Sequence, residues 1–166
     1  MQKYFILSLT GLLLSSPIQT ARAESASRQL EVAKRGAEVM PFCLHKTRHQ
    51  FTDTENGGIQ RVIARDPDDQ AQILLIRQHL EQLATNFSVG DYSGPESIHG
   101  ADMPGLAQLK AVSPDRLKII YTAVPAGASL TFSSTDSEVI QAVHTWFAAQ
   151  LHDHGHDAVR MQPIQP

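Results

Sequence analysis

Cysteine is nearly missing from this chain. Cys43 is the only one, so no disulfide can form within it. A lone thiol leaves three uses: pairing with another chain, binding a metal, or burial as a small hydrophobe. A basic excess is missing too. Fourteen lysines and arginines stand against 17 acids, for a net charge of −3. A chain of that sign has no overall field that draws nucleic acid or an anionic lipid surface. Absent as well are a G-x-S-x-G elbow, a P-loop, a dinucleotide-binding GxGxxG, an HExxH helix, a CxxC pair and zinc-finger spacing, so no local motif names a reaction.

What is present begins with an export signature. Lys3 gives a short basic start, Tyr4 to Leu14 is almost wholly apolar, and Ala21-Arg22-Ala23 is an A-x-A cleavage site,. Residues 1–23 are therefore expected to be a removed signal peptide, and the destination the periplasm or the outside of a bacterium. No cysteine follows the apolar core, as a lipoprotein requires, and there is no Arg-Arg pair for the folded-export route. Cleavage would remove Lys3 and Arg22 but no acid, taking the net charge from −3 to −5. The remainder, 166 less 23 residues, is one ordinary domain able to bury its own core. No second apolar run is long enough to span a bilayer.

Residues 24–38 read as a short helix or a loose arm, and 39–158 as a single α+β domain. Within it the chain shows one plan twice. Asn56-Gly57 is a hairpin signal between two strand-like runs,. Asp66-Pro67 reads as a helix start, and Ile73, Ile76, Leu80, Leu83 and Phe87 recur at helical spacing,. In the second copy Pro125-Ala126-Gly127 is the turn, and Leu130, Phe132 and Ser134 alternate with their neighbours as in a half-buried strand,. Thr135 with Glu138 fits a capping box, with Asp136 as the other candidate cap. Ile140, Val143, Phe147 and Leu151 form an apolar stripe. Two strand-strand-helix units bury everything if the helices cover one face of a four-stranded antiparallel sheet. Between the copies, residues 88–115 form a long glycine- and proline-rich loop of the kind that carries function, with a short helix expected from Pro104. Residues 159–166 read as a flexible tail.

The chemistry lies in eight histidines. A transition-metal site needs neutral imidazole, thiolate, thioether or carboxylate groups that converge on one point. His144 falls on the apolar stripe of the last helix, so it must find a hydrogen-bond partner, bind something, or stay neutral at a cost. His99 and Met103, in "IHGADMPGL", make an imidazole–thioether pair that suits copper, or axial ligation of haem iron. Met40, Cys43, His45 and His49 crowd one segment; if it is extended, Cys43, His45 and His49 share a side. The stretch "LHDHGHDA" holds His152, His154 and His156 with Asp153 and Asp157. A helix C-terminus there would favour one protonated imidazole, and carboxylates beside imidazoles suit the orientation of metal ligands. For every one of these groups a plain structural role competes with ligation.

Met40-Pro41-Phe42, His49-Gln50-Phe51, Gly57-Gly58-Ile59-Gln60, Ile98 to Leu106 and His144 to Ala158 together resemble a small bacterial family of about this size. Some of its members carry an aspartate carbamoyltransferase label. This chain is far shorter than such an enzyme and has no S-T-R-T-R-type carbamoyl-phosphate loop. Where Cys43 stands here, the family pattern often has an acid. The positions that match are His49, His99, Met103, His144 and His154.

The expectation is an exported protein that holds copper or zinc through these five residues. Asp153 and Asp157 would support the ligands, and His45, His152, His156 and Cys43 are weaker candidates. The alternatives are a small histidine-dependent enzyme or haem-handling protein, and an interaction module without ligand.

Overall fold

The structure is a computed structural model that describes residues 17–163. Most of the expected signal, residues 1–16, lies outside the described residues. The first helix, α1 (Pro17–Val39), is longer than the arm expected at 24–38. It is followed by β1 (Thr47–Thr54), β2 (Gly57–Ala64) and α2 (Gln70–Ser88), then α3 (Ser93–His99) and α4 (Leu106–Ala111). The chain continues through β3 (Lys118–Val124), β4 (Gly127–Ser133), α5 (Ser137–His154) and β5 (Ala158–Arg160). Single 3₁₀ turns span Leu44–Lys46, Pro114–Arg116 and Gly155–Asp157.

The fold class is α+β. The two hairpins join through antiparallel pairing of β2 with β4, as two copies of one unit should. The sheet differs from the expected four antiparallel strands by one: its order is β3-β4-β2-β1-β5, and β5 runs parallel to β1. The added strand, Ala158–Arg160, takes its last two residues from the stretch read as a tail. Three residues carry too little pattern to announce a strand, and β5 exists because β1 offers it an edge.

Both hairpin turns place a glycine where no side chain fits. A Cβ on Gly57 would lie 2.2 Å from the Phe132 carbonyl oxygen, and one on Gly127 would lie 2.1 Å from that of Val62. Along β2, Gly58, Gln60, Val62 and Ala64 face inward, as do Ala128, Leu130 and Phe132 of β4. The helices α2 and α5 cover this one face, and α1 lies outside them, against α5 and α3. Among the described residues, no helix is long and apolar enough to cross a membrane.

Helix α2 starts later than expected. Asp66 closes a turn onto the Asp68 amide, and Asp69 is the cap, accepting from the Gln72 amide. Its stripe is as expected, with Ile73, Ile76, Leu80 and Phe87 buried. Helix α5 is capped by Asp136. Its buried face is rotated from the expected stripe: Val139, Val143, Trp146, Gln150 and Asp153 lie inward with Phe147. Trp146 is the reason. It is the largest fully buried side chain and packs edge-on against Phe87, Tyr92 and Phe132. Burying an indole outweighs burying Ile140 or Leu151 at the margins. The segment 88–115 is an ordered pair of helices, with Ile98, Met103, Leu106 and Leu109 buried.

Candidate functional site

The rotation of α5 carries its C-terminal turn inward, and three histidines meet there. His49 sits on β1 between Thr47 and Phe51, and period-two alternation turns all three toward the helices,. His99 is the last residue of α3, and His154 the last of α5. The ring centroids of His49 and His154 are 4.6 Å apart, nearly parallel, and those of His99 and His154 are 5.1 Å apart, edge to face. The C-terminal dipole of an 18-residue helix favours positive charge beside its last turn,.

Behind His99 stands a charged support. Its Nδ1 is 2.8 Å from Oδ2 of Asp153, and both side chains are buried. Asp153 also accepts from Arg28 of α1, at 3.1 Å from Nε and 2.7 Å from Nη2. Burial opposes ionisation of Asp153, but the hydrogen bonds from His99 and Arg28 outweigh it and hold the carboxyl below its usual range,. An ionised Asp153 only accepts, so Nδ1 of His99 carries the proton of this bond, and Nε2 is the ring nitrogen left to face a ligand,.

The three imidazoles line a cavity of ≈ 40 Å³. His79 of α2, Gln60, Gln150 and Trp146 line it too, with an apolar wall that includes Phe42, Leu80 and Ile98. Among the described residues, buried Nδ1 of His49, Oε1 of Gln60 and Nε1 of Trp146 have no hydrogen-bond partner. Such atoms are costly unless something occupies the space beside them. Burial pushes the His49 imidazole down to about 4, helped by the nearby charges of His79 and His99. His154 is lowered well below its ordinary value by burial and by the nearby His49 and His99. Both are therefore neutral near pH 7, the form a metal needs.

No protein-family model, curated protein or solved structure matches this chain. The site has to be read from its own geometry.

Of the five residues expected to ligate together, the structure gathers His49, His99 and His154. His144 is elsewhere. Its Nε2 is 2.7 Å from the Gly57 oxygen and 3.1 Å from that of Thr54, so it pins α5 to the β1–β2 turn. Met103 is buried but lines a separate open groove with Arg28, His152 and Asp153. Asp153 has the supporting position expected of it. His152 is exposed, 3.4 Å from Asp153 Oδ1. Cys43 is free and exposed, not a buried hydrophobe, and its amide donates to Gln72. His45, His156 and Asp157 meet at the surface.

Sequence reasoning missed His79, Gln60, Gln150 and Arg28. His79 had a signal: it stands three residues after Ile76 and four before Leu83, beside the apolar stripe of α2. Gln60 and Gln150 could be found only by their inward registers. Arg28 lies 125 residues from Asp153, and no local pattern links the two.

Proposed function

We propose that the protein binds a transition-metal ion, copper or zinc, in the buried imidazole cavity, and that it does so as an exported protein. His49, His99 and His154 are the ligands, Asp153 and Arg28 fix the ring of His99, and His79 stands by as a fourth imidazole. The observation that carries this reading is the cavity itself. Imidazoles from three elements line it, and among the described residues the buried Nδ1 of His49 has no hydrogen-bond partner. Carboxylate–imidazole support of a ligand is how proteins fix its tautomer and raise its basicity.

Size separates an ion from the other occupants. A space of ≈ 40 Å³ takes an ion with one or two waters, since a single water needs about 10–15 Å³ on the same measure. A macrocycle such as haem does not fit. The His99–Asp153 dyad also resembles the support of a general base, but the cavity leaves no room for a substrate beyond a few atoms. The rings of His49 and His154 are nearly parallel with centroids 4.6 Å apart, so joint ligation requires one ring to turn. Three imidazoles with an open fourth position suit Zn(II) and copper.

The test is metal analysis of the purified protein, followed by titration with Zn(II), Cu(II) and Cu(I). One tightly held ion is expected in the wild type and in His144→Ala. It should be lost in His99→Gln, which keeps a donor toward Asp153. Protein that takes up none of the three ions would refute the reading.

A further inference from the structure

Parallel pairing of β1 with β5 has a consequence at the surface. His49 is in register with Ala158, so the turns leading into the two strands lie side by side at one end of the sheet. The first turn, Leu44–Lys46, carries His45. The second, Gly155–Asp157, carries His156 and Asp157. One ligand atom from each of His45, His156 and Asp157 lies within 4.8 Å of the other two. An antiparallel fifth strand would have put these turns at opposite ends of the sheet.

The three donors differ in a way that suits ligation. Both imidazoles are exposed, His156 with 81 % of its side chain open to solvent, whereas the Asp157 side chain is only 11 % exposed. Asp157 is also held in place: Arg65 donates to its Oδ1 at 2.9 Å, and Nε2 of His156 is 3.4 Å from the same oxygen. A fixed carboxylate flanked by two movable imidazoles is a two-histidine, one-carboxylate set, with its remaining positions open to water.

From this convergence we infer that His45, His156 and Asp157 form a second, solvent-facing site for a divalent transition-metal ion of the zinc or nickel class. The site shares no proposed ligand with the buried cavity. Its ligands come from the turns before β1 and β5, and those of the cavity from β1, α3 and α5. With open positions and no enclosing wall, it exchanges its ion with solvent.

The experiment is calorimetric titration of the full chain with Zn(II), and separately with Ni(II), while histidine ring resonances are followed by NMR. The variants are His45→Ala, His156→Ala and the double substitution. Both residues are exposed, so the fold tolerates them; Asp157→Asn is avoided because it would also unpair Arg65. In the wild type the His45 and His156 ring signals should shift on adding metal. The double variant should lose one binding event, and each single should weaken it at least about tenfold. A double variant that binds with wild-type stoichiometry and affinity, or histidine signals that never move, would overturn the site. If His45→Ala/His156→Ala abolishes all binding, this site stands and the buried one falls. If only His99→Gln removes metal, the reverse holds.

Discussion

Nδ1 of His99 lies 2.8 Å from Oδ2 of Asp153, and that one contact ties the cavity to the N-terminal helix. Arg28 of α1 holds the opposite side of the same carboxylate and also donates to the His99 carbonyl oxygen. The support of the site is therefore a chain of three elements, α1 to α5 to α3. Asp153→Asn keeps the shape and removes the charge, leaving Arg28 without its ionic partner. The expected cost is about 1–3 kcal/mol of unfolding free energy, moderated because Arg28 is about one-third exposed,. Urea denaturation of the variant against wild type measures it; an unchanged midpoint would mean the bridge carries no stability.

The buried imidazoles make the fold acid-sensitive. Unfolded His49 takes up its proton near 6.5, and folded His49 only near 4. Between those values the unfolded chain holds more protons, so lowering the pH favours unfolding. Stability from this group is complete above about pH 6.5 and declines toward pH 4. Its full effect is on the order of 3 kcal/mol. His154 is shifted in the same direction and adds to the slope. Asp153, whose folded carboxyl lies below its ordinary 3.8, extends the loss to lower pH. Urea midpoints at pH 7, 6 and 5 should fall steadily, and a flat profile would show that these rings are not buried neutral.

His144 tests which histidine is structural. Its hydrogen bonds to the Gly57 and Thr54 carbonyls are lost in His144→Ala, and about 1–2 kcal/mol of stability should go with them. Metal uptake should not change. Weakened metal binding in a well-folded His144→Ala protein would return this residue to the ligand set.

Gly105 tests the docking of the middle segment. It has φ +81°, and a Cβ there would lie 2.5 Å from the Trp146 amide nitrogen and 2.6 Å from the Ala142 oxygen. Backbone cannot step aside as a side-chain tip can. Gly105→Ala should cost about 2–4 kcal/mol, from the left-handed conformation and the clash together. A thermal melt gives the answer, and a cost under about 0.5 kcal/mol would place α4 farther from α5 than described.

Legibility in the sequence followed the range of each signal. The hairpins at Asn56-Gly57 and Pro125-Ala126-Gly127 and the stripe of α2 are local patterns, and all stand in the structure. The face of α5 was misjudged because counting apolar residues gave Ile140 and Leu151 the same weight as Trp146, while the core is built around the indole. That one rotation moved His144 off the site and brought Gln150 and Asp153 in. His49, His99 and His154 could be named as suppliers of imidazole, but their meeting depends on β1, α3 and α5 converging, which no spacing encodes. Met103 failed for the opposite reason: its closeness to His99 along the chain made a pair that the Gly100–Met103 turn and the packing of α4 pull apart. The surface group of His45, His156 and Asp157 was legible only as composition, because it exists through a parallel strand of three residues.

The most direct test of the buried metal site is anomalous diffraction, at the zinc and copper absorption edges, from crystals of the protein grown with each ion. The account predicts a peak within bonding distance of nitrogens of His49, His99 and His154, with Asp153 still on Nδ1 of His99. A cavity holding only water under both ions, with the three rings arranged as they are now, would contradict it.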